Sequence, residues 1–432
     1  MRISYLKYMA SLAILTAPML LGGCSSIARG VTEAVINQEE VKDTRQCEIE
    51  GPAFDGIRQS FDEQAPSTPK VTKILMVHGV SSHLPGYSSR FQKKLFEDLG
   101  LDIVDSTVKT ITLDSNKIQW ADDQPHTLGT LKISRHTDAQ NARQLIFYEL
   151  TWSSITDPQK KAIMADSANY EGLPRASINK SLKNLMNETV PDLLIYNGNG
   201  YERVTESVSQ AVCWMLGNDW DKLPQDGVHQ CRQWPHSTYA NMMRDDHYFV
   251  THSLGSRIAI DTIHDLVALN GTVKKGPDDA KRSKAAQDKE FTVFMLANQL
   301  PLLQAGRSMP AVAGQEKAYC EVGGDKTDDR VLRRMNIIAF SDPNDILSYP
   351  VASDYATSNI DSRICPAVTN ISLNIAHERS IFDTANFANP VSAHNGYMED
   401  DRVIDLIANG IRRSDAALVG GKCRWLETKK LP

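Results

Sequence analysis

Apolar positions recur along this chain in two rhythms. Short runs that are apolar at almost every residue predict strands. The clearest is Lys73-Ile74-Leu75-Met76-Val77, and others lie near Asp102–Leu113, Gln144–Trp152, Asp192–Tyr196, His247–Thr251, Phe291–Ala297, Met335–Phe340 and Val368–Asn374. A strand covered on both faces by helices must be apolar throughout, which is what several of these runs show. Between them the spacing changes to that of helices. Phe91, Leu95 and Leu99 stop at Gly100; Ile178, Leu182 and Leu185 form a second set, and Val204, Val208, Val212 and Met215 a third. Ile260, Ile263 and Val267 follow a strand directly, and Val403, Ile404 and Ile407 end at Gly410. Strands alternating with helices predict an α/β fold built on a doubly wound, mostly parallel sheet.

Length and charge narrow this picture. The chain has 432 residues, enough for one large or two ordinary domains, and a formal net charge of −6. Nothing in that balance points to nucleic acid. Arg2 and Lys7 precede a short apolar stretch, Tyr8 to Leu21, which has the build of a secretory signal and is too short for a transmembrane helix. It ends in Leu20-Leu21-Gly22-Gly23-Cys24-Ser25-Ser26, which resembles the bacterial lipobox. The resemblance implies a signal peptide over 1–23, lipidation of Cys24 and a membrane partner through that anchor. With Ser25 after the cysteine, it also implies the outer membrane, facing the periplasm. Residues 24–70 read as a tether and arm, and 71–432 as the folded domain, with insertions near 153–190, 274–290 and 302–334. The last of these reads equally as a lid or as a loop tied by a disulfide. Besides Cys24 there are six cysteines, and an even number in an oxidising compartment predicts disulfides. Cys213 with Cys231 is the most local pairing.

Candidate chemistry gathers at Tyr248-Phe249-Val250-Thr251-His252-Ser253-Leu254-Gly255. A serine at a sharp strand-to-helix turn is a nucleophile elbow: the turn lifts the hydroxyl clear of the sheet and aims the helix N-terminus at the reacting oxygen. Thr251 stands where the motif G-x-S-x-G has its first glycine. His78-Gly79 follows an earlier strand. Asp342 and Asp345 lie in the turn after Ile337–Phe340, and His394 and His377 follow the last strand. In this order the residues resemble those of an α/β-hydrolase of the serine esterase or lipase type, over roughly Val71 to Gly410.

The resemblance implies Ser253 as nucleophile, His394 as base in preference to His377, and Asp345 as acid in preference to Asp342, which has the alternative reading of a turn residue before Pro343. It also implies an oxyanion hole made by the N–H groups of Val80 and Leu254, where losing one donor typically costs about 3–4 kcal/mol. His78 reads as a brace for the loop. The implied substrate is an ester or acyl lipid. An acyltransferase using the same residues and an inactive, envelope-binding lipoprotein on the same fold are the alternatives. No cofactor or metal is signalled: Gly198-Asn199-Gly200 lacks the rest of a phosphate-binding fingerprint.

Overall fold

The computed structural model describes residues 46–64, 70–101, 108–118, 127–140, 143–165, 172–231, 236–272, 286–381, 385–411 and 423–426. The signal peptide, Cys24, Trp234 and most of the charged insertion at 274–290 lie outside the described residues. The chain divides into two compact units. The first, 1–42 with 175–183, is described only where a helix begins. The second, 43–174 with 184–432, carries everything that follows.

Among the described residues its centre is an eleven-stranded sheet. In chain order the strands of the molecule are β1 (Cys47–Glu50), β2 (Phe54–Asp55), β3 (Thr72–Val77), β4 (Val108–Leu113), β5 (Thr130–Thr137), β6 (Gln144–Thr151), β7 (Val228–His229), β8 (Asp246–His252), β9 (Glu290–Leu296), β10 (Arg334–Ser341), β11 (Pro366–Leu373), β12 (Glu378–Ile381), β13 (Ala385–Ala388), β14 (Gly410–Ile411) and β15 (Cys423–Leu426). The sheet runs β15-β1-β11-β10-β9-β8-β3-β6-β5-β4-β7, and from β11 to β6 every neighbour is parallel. Short antiparallel pairs, β12 with β13 and β2 with β14, lie outside it. The helices used below are α1 (Ile57–Asp62), α2 (Ser89–Leu99), α3 (Asp157–Met164), α4 (Ser177–Asn197), α5 (Tyr201–Gly217), α6 (Leu254–Thr272), α7 (Pro390–Asn395) and α8 (Asp401–Asn409).

Alternation along each strand divides the core in two. Leu75 and Val77 of β3 pack into a layer with Val204, Val208 and Met215 of α5 and Ile258 and Ile263 of α6. Ile74 and Met76 pack the other way, among Phe91 and Leu95 of α2 and Val403 and Ile407 of α8. Both faces of the sheet are therefore covered, which accounts for the unbroken apolar runs. Trp214 and Trp220 belong to the first layer as core residues. Among the described residues no helix is long and apolar enough to cross a membrane.

The chain leaves β3 toward β6 on one side and later returns to β8 on the other. The crevice at the C-terminal ends of β3 and β8 is thus a topological switch point, the place where open parallel sheets bind ligands.

Two expectations change, and one open reading is narrowed. The arm is not a tether over its described part: β1 pairs antiparallel with β11, and Phe54, Ile57 and Phe61 are buried in the second layer. Elements this short fall below the window in which periodicity shows. Asp192–Tyr196, read as a strand, is the last part of α4, because a short apolar run does not distinguish the two periods. Of the two readings of 302–334, the disulfide-tied loop is seen, with Cys320 bound to Cys365. The expected Cys213–Cys231 bond is present, and Cys47–Cys423 closes a span of 376 residues between β1 and β15.

Candidate active site

β8 ends at His252 and α6 begins at Leu254, so Ser253 alone makes the turn. Its φ is 55°, in the left-handed region that a non-glycine residue enters only under constraint. Two neighbours hold it there. The Ser253 N–H donates to Leu296 O at 2.8 Å, and its carbonyl accepts from Ser256 Oγ at 2.7 Å. Thr251, in place of the motif's first glycine, is an ordinary strand position, in register with Val77 on one side and Met295 on the other, so a side chain is accommodated.

Glycine is required at two other positions, both by close approach. A Cβ on Gly255 would lie 2.4 Å from Val77 O and 2.8 Å from His78 O, and one on Gly79 would lie 2.5 Å from Ser253 Cβ and 2.7 Å from His252 O. These contacts press α6 against β3 and lay the loop after β3 directly on Ser253. Gly255→Ala is therefore expected to destabilise the fold by about 1–3 kcal/mol, as overpacking does, although Gly→Ala inside an exposed helix usually stabilises by about 1 kcal/mol. Denaturant unfolding decides the sign, and a gain in stability would contradict the packing described.

Three side chains from distant parts of the chain meet at this turn. His394 Nε2 is 2.9 Å from Ser253 Oγ, and His394 Nδ1 is 3.0 and 2.9 Å from the two carboxylate oxygens of Asp345. With Nδ1–H donating to the carboxylate, Nε2 is left to accept the serine proton. Burial raises the Asp345 carboxyl, but the hydrogen bond and charge of His394 and the Leu347 N–H outweigh it and hold the group below its ordinary value. His394 stands in the last turn of α7. Asn389 caps that helix by accepting from Val391 and Ser392 N–H, and Pro390 fills its first position.

The rivals lie elsewhere. His377 is exposed. Asp342 accepts from Asn344 N–H at 2.7 Å and from Ile375 and Ala376 N–H at 2.6 and 3.3 Å. It braces Ile375, and a Cβ on Gly396, two residues after His394, would meet Ile375 Cγ2 at 2.4 Å. Asp342 therefore supports the turn that carries the histidine without touching its ring.

Val80 and Leu254 are both buried beside Ser253 in sequence or space. His78 Nδ1–H donates to Gly79 O at 2.8 Å, while its Nε2 accepts from Trp152 N–H at 3.1 Å. These partners assign a neutral ring, and burial holds its pKa well below the ordinary value. In a trans peptide the N–H points opposite to the C=O. Tying Gly79 O to His78 thus turns the Val80 N–H away from His78.

Sequence reasoning missed other supports. His252 donates from Nε2 to His394 O at 2.9 Å, and burial with His394 alongside pushes its pKa down to about 3, so it braces His394 as a neutral ring. Glu149 of β6 accepts from Ser88 N–H at 3.0 Å and from Gly86 N–H, fixing the loop after β3. A carboxylate inside the apolar run Gln144–Trp152 was the available signal. Ser253 exposes none of its surface and His394 only 9%. Among the described residues no group of histidine, cysteine or acidic side chains is arranged to hold a metal. Comparison of the chain with protein families, with curated proteins and with solved structures gave no match.

Proposed function

We propose that this protein is a serine hydrolase of the α/β-hydrolase kind that cleaves carboxylic esters through an acyl-enzyme. The observation that carries the reading is the unbroken chain of hydrogen bonds from Ser253 Oγ through His394 to Asp345, at the sheet's switch point. His394 Nε2 takes the Ser253 proton as Oγ adds to the ester carbonyl. Asp345 holds the imidazole in the required tautomer and stabilises its cation. The N–H groups of Val80 and Leu254 stabilise the oxyanion, the second aided by the helix N-terminus, whose first-turn N–H groups have no intrahelical acceptor. The tetrahedral species collapses, and the alcohol leaves with the proton from His394. Water, deprotonated by the same nitrogen, then releases the acid and regenerates the serine.

Because Ser253 is fully covered, the groups over it must part before an acyl group enters. A lipid anchor at Cys24 would place the enzyme beside acyl lipids, the substrate class that fits best. The test is reaction with a fluorophosphonate, followed by mass analysis of the modified peptide. The expected adduct is on Ser253, and an unmodified protein would remove the reading. Product analysis on a p-nitrophenyl ester, with and without an acceptor alcohol, separates hydrolysis from acyl transfer to that alcohol.

A further inference from the structure

The loop after β3 carries a second residue in the left-handed region. Ser81 has φ 79°. It follows Val80, so the Val80–Ser81 peptide borders the proposed oxyanion donor. Both polar groups of that peptide are held. Val80 O accepts from His83 Nε2 at 3.0 Å, and Ser81 N–H donates to Asp192 Oδ2 at 2.7 Å. Asp192 comes from α4, more than a hundred residues away in sequence, and exposes none of its surface.

A bare carboxylate there would be costly, and Lys160 of α3 answers it. Lys160 Nζ lies 3.1 Å from Asp192 Oδ1, 3.0 Å from Asp157 Oδ1 and 3.3 Å from Ser82 Oγ, and the residue is 1% exposed. The hydroxyl of Ser82 in turn donates to Asp157 at 2.7 Å. Two helices inserted between β6 and β8 thus send a buried ion pair to one peptide of the loop on Ser253.

We infer that Asp192, neutralised by Lys160, is a positioning residue that holds Ser81 in its left-handed conformation and so fixes the direction of the Val80 N–H toward the reacting carbonyl. The inference rests on the serine-hydrolase reading. It identifies the inserted helices as part of the apparatus for transition-state stabilisation.

The test uses the purified full-length protein, a soluble p-nitrophenyl ester and fluorophosphonate labelling. Asp192→Ala removes the buried carboxylate that faces Lys160 and leaves it the partly exposed Asp157 and the Ser82 hydroxyl, so it lowers stability whether or not the inference holds, and all rates are taken well below its unfolding temperature. The expected result is a fall in kcat of about 10²-fold, as for loss of an oxyanion donor, with KM changed less than threefold and labelling slowed in parallel. Asp192→Asn retains an acceptor for the Ser81 N–H and is expected to recover most of the rate. Ser81→Gly supplies the decisive arm. Glycine adopts positive φ without a Cβ penalty, so the fall caused by Asp192→Ala is expected to shrink at least severalfold in a Ser81→Gly background. An equal fall in both backgrounds, or an Asp192→Ala protein that labels at the wild-type rate, overturns the inference and leaves the hydrolase reading intact. Wild-type protein that does not label overturns that reading and this inference with it.

Discussion

Ser253→Ala is expected to lower ester hydrolysis by roughly 10⁶-fold, the loss seen when the nucleophile of a serine protease is removed. The argument is geometric. Ser253 Oγ is the hydroxyl 2.9 Å from His394 Nε2, and the left-handed turn puts it at the head of α6. The residual rate should approach that of an oxyanion site acting without a nucleophile. Ser256 is the matched control. Its hydroxyl bonds to Ser253 O at 2.7 Å and accepts from Gln299 N–H at 3.2 Å, so Ser256→Ala is expected to reduce stability by about 1–3 kcal/mol through unpaired buried groups, while the Ser256 N–H at 3.0 Å from Ser253 O and the bond from Ser253 N–H to Leu296 O still hold the turn and the folded protein is expected to keep most of its rate. A Ser253→Ala protein that keeps activity, with circular dichroism unchanged, would place the nucleophile elsewhere.

The second large effect separates the two aspartates. Asp345→Asn is expected to lower kcat by roughly 10⁴-fold, because an amide no longer selects the tautomer that leaves Nε2 free for the serine. Asp342→Asn should cost far less in rate. It turns an NH2 group toward backbone N–H donors that now meet a carboxylate, so the expected loss is about 1–3 kcal/mol of stability, read by denaturant unfolding. The reverse outcome would exchange their roles.

The pH dependence differs as well. Asp345 is held below the ordinary carboxyl value in the folded state. Its ionised form therefore favours folding above the unfolded value, and that contribution is lost as pH falls through the folded one. The gap in stability between wild type and Asp345→Asn should narrow on acidification over that window. Burial raises Asp342 instead, so its protonated form is favoured by the fold. Its contribution is full below the unfolded value and lost as pH rises through the folded one. A gap for Asp345→Asn that widens in acid would contradict the direction assigned to that carboxyl.

Much of the site can be read in one dimension because its chemistry is local at each point. Ser253 is marked by a strand that ends where a helix begins, Asp345 by an acidic turn after a strand, and His78-Gly79 by a turn after another. Apolar runs placed most of the parallel strands, since a strand covered on both faces has to be apolar at successive residues. What failed in the sequence was short or ambiguous. The four residues of β1 carry no period long enough to see, and Asp192–Tyr196 reads as strand or helix until the turns before it are known to be helical.

The tertiary structure decided what depends on two distant segments meeting. Asp342 and Asp345 are three residues apart and chemically identical. Only the packing of α7 put the imidazole against one and the backbone of Ile375 and Ala376 against the other. His252 could be assigned as a brace only when the carbonyl of His394 arrived beside it. The same holds for Asp192, read in sequence as the start of a strand, and Lys160, inside an expected insertion, both of which are fully buried beside the loop on Ser253 in the fold. Periodicity records which face of an element is apolar. It carries no information on which polar group will be brought to which, because that is set by how the elements pack and where water is excluded.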